Sequence, residues 1–194
     1  MSISINGNGI TSANIADGAI TNADIADAAI TNAKLASGGG LYASVAIICD
    51  QKSSGTSGGT FTSGAWRTRD LNTEVTDVDG IVSIASNRFT LQAGTYTINW
   101  SAPGYGTYRH KSKLRDITTS SDLQIGTSAY TSDADNVATT SIGAKTVTIT
   151  SAHIYEVQHR CQQSEATDGY GVNGGSSTGS VVEIYTTVII HKHS

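Results

Sequence analysis

Proline is nearly missing from this chain, one residue in 194 against 21 glycines. A proline-rich linker or polyproline segment is thereby excluded. Cysteine is scarce too. Cys49 and Cys161 cannot build a disulfide-dense scaffold; one bridge is the most they allow, and two small buried thiols are expected. Charge is thin: 14% of residues are charged and the net charge is -4. That leaves no basic footprint for nucleic acid and no polybasic surface for a membrane. No apolar run reaches the roughly 18 residues of a membrane-spanning helix. The first seven residues have neither the cationic start nor the apolar core of a secretory signal. Helix-favouring runs of Leu, Glu and Lys are absent as well.

What is abundant is Thr, Ser, Val and Gly. Thr and Val branch at Cβ and suit a pleated surface. Glycine-rich clusters separate strand-length runs, so the composition points to an all-β protein.

The first third of that pattern is different. Residues 10–36 form a ten-residue repeat of two five-residue halves, with a large aliphatic at every fifth position: Ile10, Ile15, Ile20, Ile25, Ile30 and Leu35. On an α-helix a step of five scatters these side chains around the axis. On a strand it sends alternate ones to opposite faces, and one short chain cannot cover both. Two arrangements would cover them. One is a solenoid coil, since Ala-Asn-Ile, Ala-Asp-Ile and Ala-Lys-Leu resemble the pentapeptide-repeat signature. The other is a fibre in which several copies wrap round a common axis. Solenoids need many stacked repeats, so the short segment favours the fibre. A flexible arm that orders only on a partner is the plain alternative. Residues 1–36 are thus read as a stalk or anchor arm, residues 37–40 as a glycine hinge, and residues 41–194 as a β-sandwich head.

Within the head, strands are expected over residues 42–49, 65–72, 81–84, 88–91, 94–101, 105–117, 128–131, 136–142, 145–150, 153–162 and 180–191. Residues 94–101 alternate Tyr96, Ile98, Trp100 against Thr95, Thr97, Asn99. Residues 153–162 alternate His153, Tyr155, Val157, His159, Cys161 against Ile154, Glu156, Gln158, Arg160. Short strands with turn signals between them argue for a two-sheet sandwich or jelly roll.

Catalytic motifs are few. There is no Gly-x-Ser-x-Gly elbow, no His-Glu-x-x-His and no phosphate loop, and no enzyme activity, cofactor or metal is expected. Cys161 and His159 share a strand face, but core packing explains them more simply than a nucleophile and base. Asp133 and Asp135 offer oxygens for Ca²⁺, with a solvated turn as the simpler reading. His191 and His193 share a face and would suit a metal on a trimer axis, with a frayed polar tail as the simpler reading. Recognition is the better-supported chemistry. Aromatic, Arg and Asn/Asp side chains on glycine-rich loops suit a surface receptor. Tyr105, Tyr108 and Arg109 form one such group; Asp168, Tyr170 and Asn173 form another. The tyrosines have a packing alternative at a subunit seam. Trp66, Tyr96 and Trp100 are expected in the core or at a trimer interface.

Residues 89–98, Phe-Thr-Leu-Gln-Ala-Gly-Thr-Tyr-Thr-Ile, are a strand, a glycine turn and a strand opening on an aromatic. Together with residues 66–73 and the apolar final strand, they resemble trimeric jelly-roll domains of the tumour-necrosis-factor and complement-globular-head type. Residues 58–73 and 155–161 resemble C-terminal domains of bacteriophage fibre and virion-appendage proteins. The arm is similar to the Ile-Thr-x-Ala-x-Ile-Ala-Asp repeats of phage fibre stalks. The resemblance implies a homotrimer located in the virion and assembled in the host cytoplasm. It implies a fibre or appendage whose head binds the host surface, through a glycan or a protein. Its alternative is a capsid-decoration or head-fibre protein that stabilises the particle. In both, the arm meets other virion proteins.

Overall fold

Burial alternates strictly along the segment Gly94–Tyr105, where Tyr96, Ile98, Trp100 and Ala102 point inward. The segments 82–85, 88–91 and 138–149 keep the same two-residue period. The structure, a computed structural model, describes Thr21 and residues 42–132, 134, 137–175 and 179–193. The chain divides into two units, Met1–Leu41 and Tyr42–Ser194. The arm isoleucines, Leu35, the 37–40 hinge, Asp133 and Asp135 lie outside the described residues.

Among the described residues, the second unit has eleven strands: β1 (Tyr42–Lys52), β2 (Arg67–Thr68), β3 (Thr73–Asp77), β4 (Val82–Ala85), β5 (Arg88–Leu91), β6 (Gly94–Tyr105), β7 (Tyr108–Asp116), β8 (Ser121–Thr131), β9 (Ala138–Ile149), β10 (His153–Cys161) and β11 (Glu183–His193). One sheet has the order β3-β1-β11-β6-β9. The other has the order β4-β5-β10-β7-β8, with β2 pairing onto β10. All strand pairs are antiparallel, and the chain passes back and forth between the sheets. Strands β1 and β11, far apart in sequence, are neighbours. The protein is therefore an all-β jelly-roll sandwich.

The core lies between the sheets. Ile48, Ile98, Val188 and Ile190 meet Phe89, Leu91, Leu114, Tyr155 and Val157, all fully buried. Each such side chain contributes on the order of 2 kcal/mol through its removal from water. A polar link between the sheets runs through this layer: Trp100 Nε1 donates to Ser112 Oγ at 2.8 Å, and Ser112 is bonded to Ser141 at 2.8 Å. A Cβ on Gly143 would sit 2.1 Å from the Trp100 ring, so only glycine lets β9 pass under the indole.

Several expectations need correction. Residues 136–142 and 145–150 are one strand, because Gly143 accommodates Trp100 and does not break the ladder. Residues 65–72 contain only the two-residue β2, and the strand β3 that follows was not foreseen. Trp66 precedes β2, half-buried on the outer side of the six-stranded sheet, with the Lys113 ammonium 4.3 Å from its ring centroid. Tyr96 and Trp100 are core residues as expected. The final strand runs on to His193, so His191 and His193 are paired strand residues and not a frayed tail. His191 packs against Tyr42 at 4.4 Å, and His193 bonds Thr97 Oγ1 at 2.8 Å. Cys49 and Cys161 are both free and buried.

Candidate functional site

Strand β7 carries cations at every second position: Arg109, Lys111, Lys113 and Arg115. The intervening His110, Ser112 and Leu114 are buried inward, so the period-two rule sends the cations to the outer face. Lys111 is the cross-strand partner of Arg160 on β10 and of Ser128 on β8. Arg109 is the partner of Tyr130. These side chains, with Trp66 and Gln162, line an open groove of about 910 Å³.

The charge balance across this face is uneven. Lys113 and Arg115 share Asp122 at 2.8 and 2.6 Å. The Lys113 hydrogen bond foremost, with Arg115 beside it, holds Asp122 below the usual carboxylate range despite a smaller opposing desolvation. Arg88 pairs with the buried Glu156 at 3.0 Å. Arg109, Lys111 and Arg160 have no carboxylate partner among the described residues. Arg109 donates instead to the neutral Gln162 Oε1 at 3.0 Å. Lys111 and Arg160 are like charges directly opposite each other, an arrangement that costs stability in a sheet.

Behind the groove is a buried polar cluster. Arg69 is fully buried. It donates to Thr186 Oγ1 (2.6 Å), Pro103 O (3.1 Å) and Tyr170 O (2.9 Å), and lies 4.0 Å over the Tyr170 ring. Burial lowers its pKa to about 10, which leaves it charged at neutral pH. His110 Nδ1 and His159 Nε2 are 2.9 Å apart, and His110 Nε2 meets Thr139 Oγ1 at 2.9 Å. His159 Nδ1 has no partner. A buried lone pair is cheaper to leave unmatched than a buried N–H. We therefore assign Nε2–H of His159 as donor to His110, and Nε2–H of His110 as donor to Thr139. Burial, and then the Arg69 charge, lower His110 to about 4; the same causes, with His110 added, push His159 well below its ordinary value.

Cys161 does not couple to His159 here. Its thiol faces Phe61 O at 3.9 Å, and burial pushes its pKa up to about 11. Among the described residues no three His, Cys, Asp or Glu side chains gather to hold a metal ion.

The two loop groups named from sequence meet at one end of the sandwich. Tyr105 N donates to Gly169 O at 3.2 Å, and Gln162 N to Arg109 O at 2.8 Å. Their side chains divide, however. Arg109 is exposed and enters the groove. Tyr108, held at φ 56° in the tight turn after Gly106, stacks on Tyr130 at 6.0 Å beside it. Tyr105 is half-buried. Tyr170 is buried against Phe61 at 4.6 Å and beneath Arg69; packing occupies it. Asn173 bonds Ser57 Oγ at 2.8 Å, and Asp168 accepts at its carbonyl from Gly171 N at 2.7 Å. The loop containing them is zipped to residues 58–61 by backbone bonds, among them Gly58 N to Gly171 O at 2.8 Å. Lys111 closes the stretch 104–111 that the sequence marks for recognition, whereas Tyr130, Arg160 and Gln162 lie outside both candidate groups. The alternation of Arg109, Lys111, Lys113 and Arg115 is the signal that marks their face.

Fold and groove together define a jelly-roll β-sandwich with a cationic, aromatic-edged outer face. No protein-family model matches the sequence, and no curated protein does. Solved structures do. The globular domain of zebrafish complement 1qA protein is similar at 10% identity over 77% of this chain and 94% of its own, TM-score 0.46. Murine APRIL at pH 5.0 is similar at 8% identity over 77% and 98%, TM-score 0.49. PRD1 vertex protein P5 is similar at 15% identity over 80% and 100%, TM-score 0.46.

Proposed function

We propose that the chain is a non-enzymatic structural protein of a virion, a homotrimeric appendage whose jelly-roll head meets the host cell surface. The observation that carries this reading is the outer face of the five-stranded sheet. From Val45 and Ile47 on β1 it runs across Thr187, Ile189 and His191 on β11, and across Thr97, Asn99 and Ser101 on β6. It ends at Ile142, Ala144 and Thr146 on β9. None of these side chains is a carboxylate, an ammonium or a guanidinium. Val45 and Ile142 are 38% and 53% exposed. A contiguous sheet face without charge is what another copy of the same chain covers. The isoleucine repeat supports the same axial assembly, since copies wound together would bury both of its faces.

Sedimentation equilibrium of the full chain tests the assembly. Three copies of the 20.1 kDa chain would weigh about 60 kDa; a single copy in solution overturns the trimer. Saturable binding to susceptible host cells tests the adhesive role. In the second reading, a capsid-decoration protein held by its arm, deletion of residues 1–36 abolishes incorporation into particles. Normal, stable particles after that deletion would count against it.

A further inference from the structure

We propose that the groove over β7, β8 and β10 is a binding site for an acidic saccharide, a sugar chain bearing carboxylate, sulfate or phosphate groups. This rests on the host-surface reading and gives it a ligand class. Three observations carry it. First, Arg109, Lys111 and Arg160 line the groove without carboxylate partners among the described residues, while the neighbouring Lys113 and Arg115 share the carboxylate of Asp122 and Arg88 pairs with Glu156. Second, Lys111 and Arg160 are cross-strand partners, with Cβ atoms about 5 Å apart. An anionic group between them removes a repulsion that the unliganded sheet retains, and the exposed guanidinium of Arg160 can take two oxygens of a carboxylate or sulfate at once.

Third, the groove has the dimensions and edges of a site for an extended ligand. Its volume, about 910 Å³, is near the top of the roughly 300–1,000 Å³ range of small-molecule sites. The half-buried ring of Trp66, pinned by Lys113, and the 54%-exposed ring of Tyr130 flank it. Aromatic faces suit the C–H faces of sugar rings. A nucleic acid fits less well: three unpaired cations on a chain of net charge -4 are few for tracking a phosphate backbone.

The chain reports on its own groove, because Trp66 and Trp100 are the only tryptophans and Trp100 is sealed in the core. The experiment is a titration of Trp fluorescence, with calorimetry, of the full-length protein against four probes. These are oligogalacturonate, a sulfated dextran oligomer, neutral dextran and single-stranded oligothymidylate. The expected result is a saturable, salt-sensitive change with at least one acidic saccharide and none with neutral dextran. Whether galacturonate or sulfated dextran binds tighter tells carboxylate from sulfate recognition. The double variant Lys111→Gln/Arg160→Gln should fold normally and lose roughly tenfold or more in affinity. The proposal is overturned if neither acidic saccharide binds at millimolar concentration, if neutral dextran binds equally, if the oligonucleotide binds most tightly, or if the double variant binds like the parent. Host-cell binding separates this from the broader reading. A double variant that still binds cells fully removes the groove and leaves adhesion standing. A parent that binds acidic saccharide but no susceptible cell does the reverse.

Discussion

The two sheets of the sandwich share one core and present opposite surfaces. From Val45 and Ile47 on β1 to Ile142, Ala144 and Thr146 on β9, the outer face of one sheet is made of aliphatic, hydroxyl, amide and imidazole side chains. The outer face of β10, β7 and β8 carries Arg109, Lys111, Lys113, Arg115 and Arg160, of which Lys113 and Arg115 share the one carboxylate of Asp122. A strand with one buried side leaves its other side free to vary without disturbing the core. The difference is what the two proposed roles, self-association on one face and binding of an external anion on the other, would each require of a single fold.

The contrast depends on the sheets being locked together, and Gly143 is where the lock breaks most easily. Gly143→Ala places a methyl 2.1 Å from Trp100 and must displace the indole and its bond to Ser112. A loss of roughly 3 kcal/mol is expected by denaturant unfolding; an unchanged midpoint would mean the sheets do not depend on this contact. Next, Ile189→Asp puts a carboxylate into the middle of the uncharged face. Trimer association should weaken at least hundredfold, roughly 3 kcal/mol, with the fold kept. Sedimentation that still shows a full trimer would place the subunit interface elsewhere.

Acid should reach the cationic side from within. The native pKa of His110 is depressed to about 4 from 6.5, so between those values the unfolded chain binds more protons than the native one. Stability is complete above pH 6.5 and falls as pH drops toward 4, by up to about 3 kcal/mol. Protonation would give His159 Nδ1 a buried N–H without an acceptor. Asp116 titrates in a lower window. Desolvation raises it, but bonds from His153 and Thr119 outweigh that and hold it below the ordinary carboxylate value. Its contribution is therefore present above about pH 4 and lost below. Melting curves from pH 7 to 4 should show the histidine slope, and His110→Gln should flatten it; an unflattened slope assigns the loss to other groups. The smallest effect sharpens the comparison most. Lys111→Gln removes a like-charge opposition and should raise stability by a few tenths of a kcal/mol. A loss of stability would show that Lys111 has a partner.

Much of the fold was legible because period-two burial is local. Tyr96, Ile98 and Trp100, and Tyr155, Val157, His159 and Cys161, face inward as their alternation requires. Glu156 was read as outward, and it is buried all the same, since Thr68 and Arg88 from other strands cover its carboxylate. Gly143 reads as a break in any single-strand pattern, yet β9 is continuous through it, because the glycine makes room for the Trp100 ring that covers it. Arg69 reads as one more strand cation, and three acceptors from distant segments make it an interior anchor. Of the site, Arg109 and its tyrosine neighbour could be read directly. Arg160 joined them only when the β10–β7 register put it opposite Lys111.

By itself the sequence determined the strand periodicity, the all-β class, the poverty of charge and the row of cations on β7. These follow from side-chain spacing along one strand, and spacing is a local property. The tertiary structure alone decided which residues 49 positions apart share the groove. It also decided which loop tyrosine is buried and which sheet face is left without charge. Those depend on the antiparallel register between strands far apart in the chain, and pairing of that kind is set by the whole core closing at once.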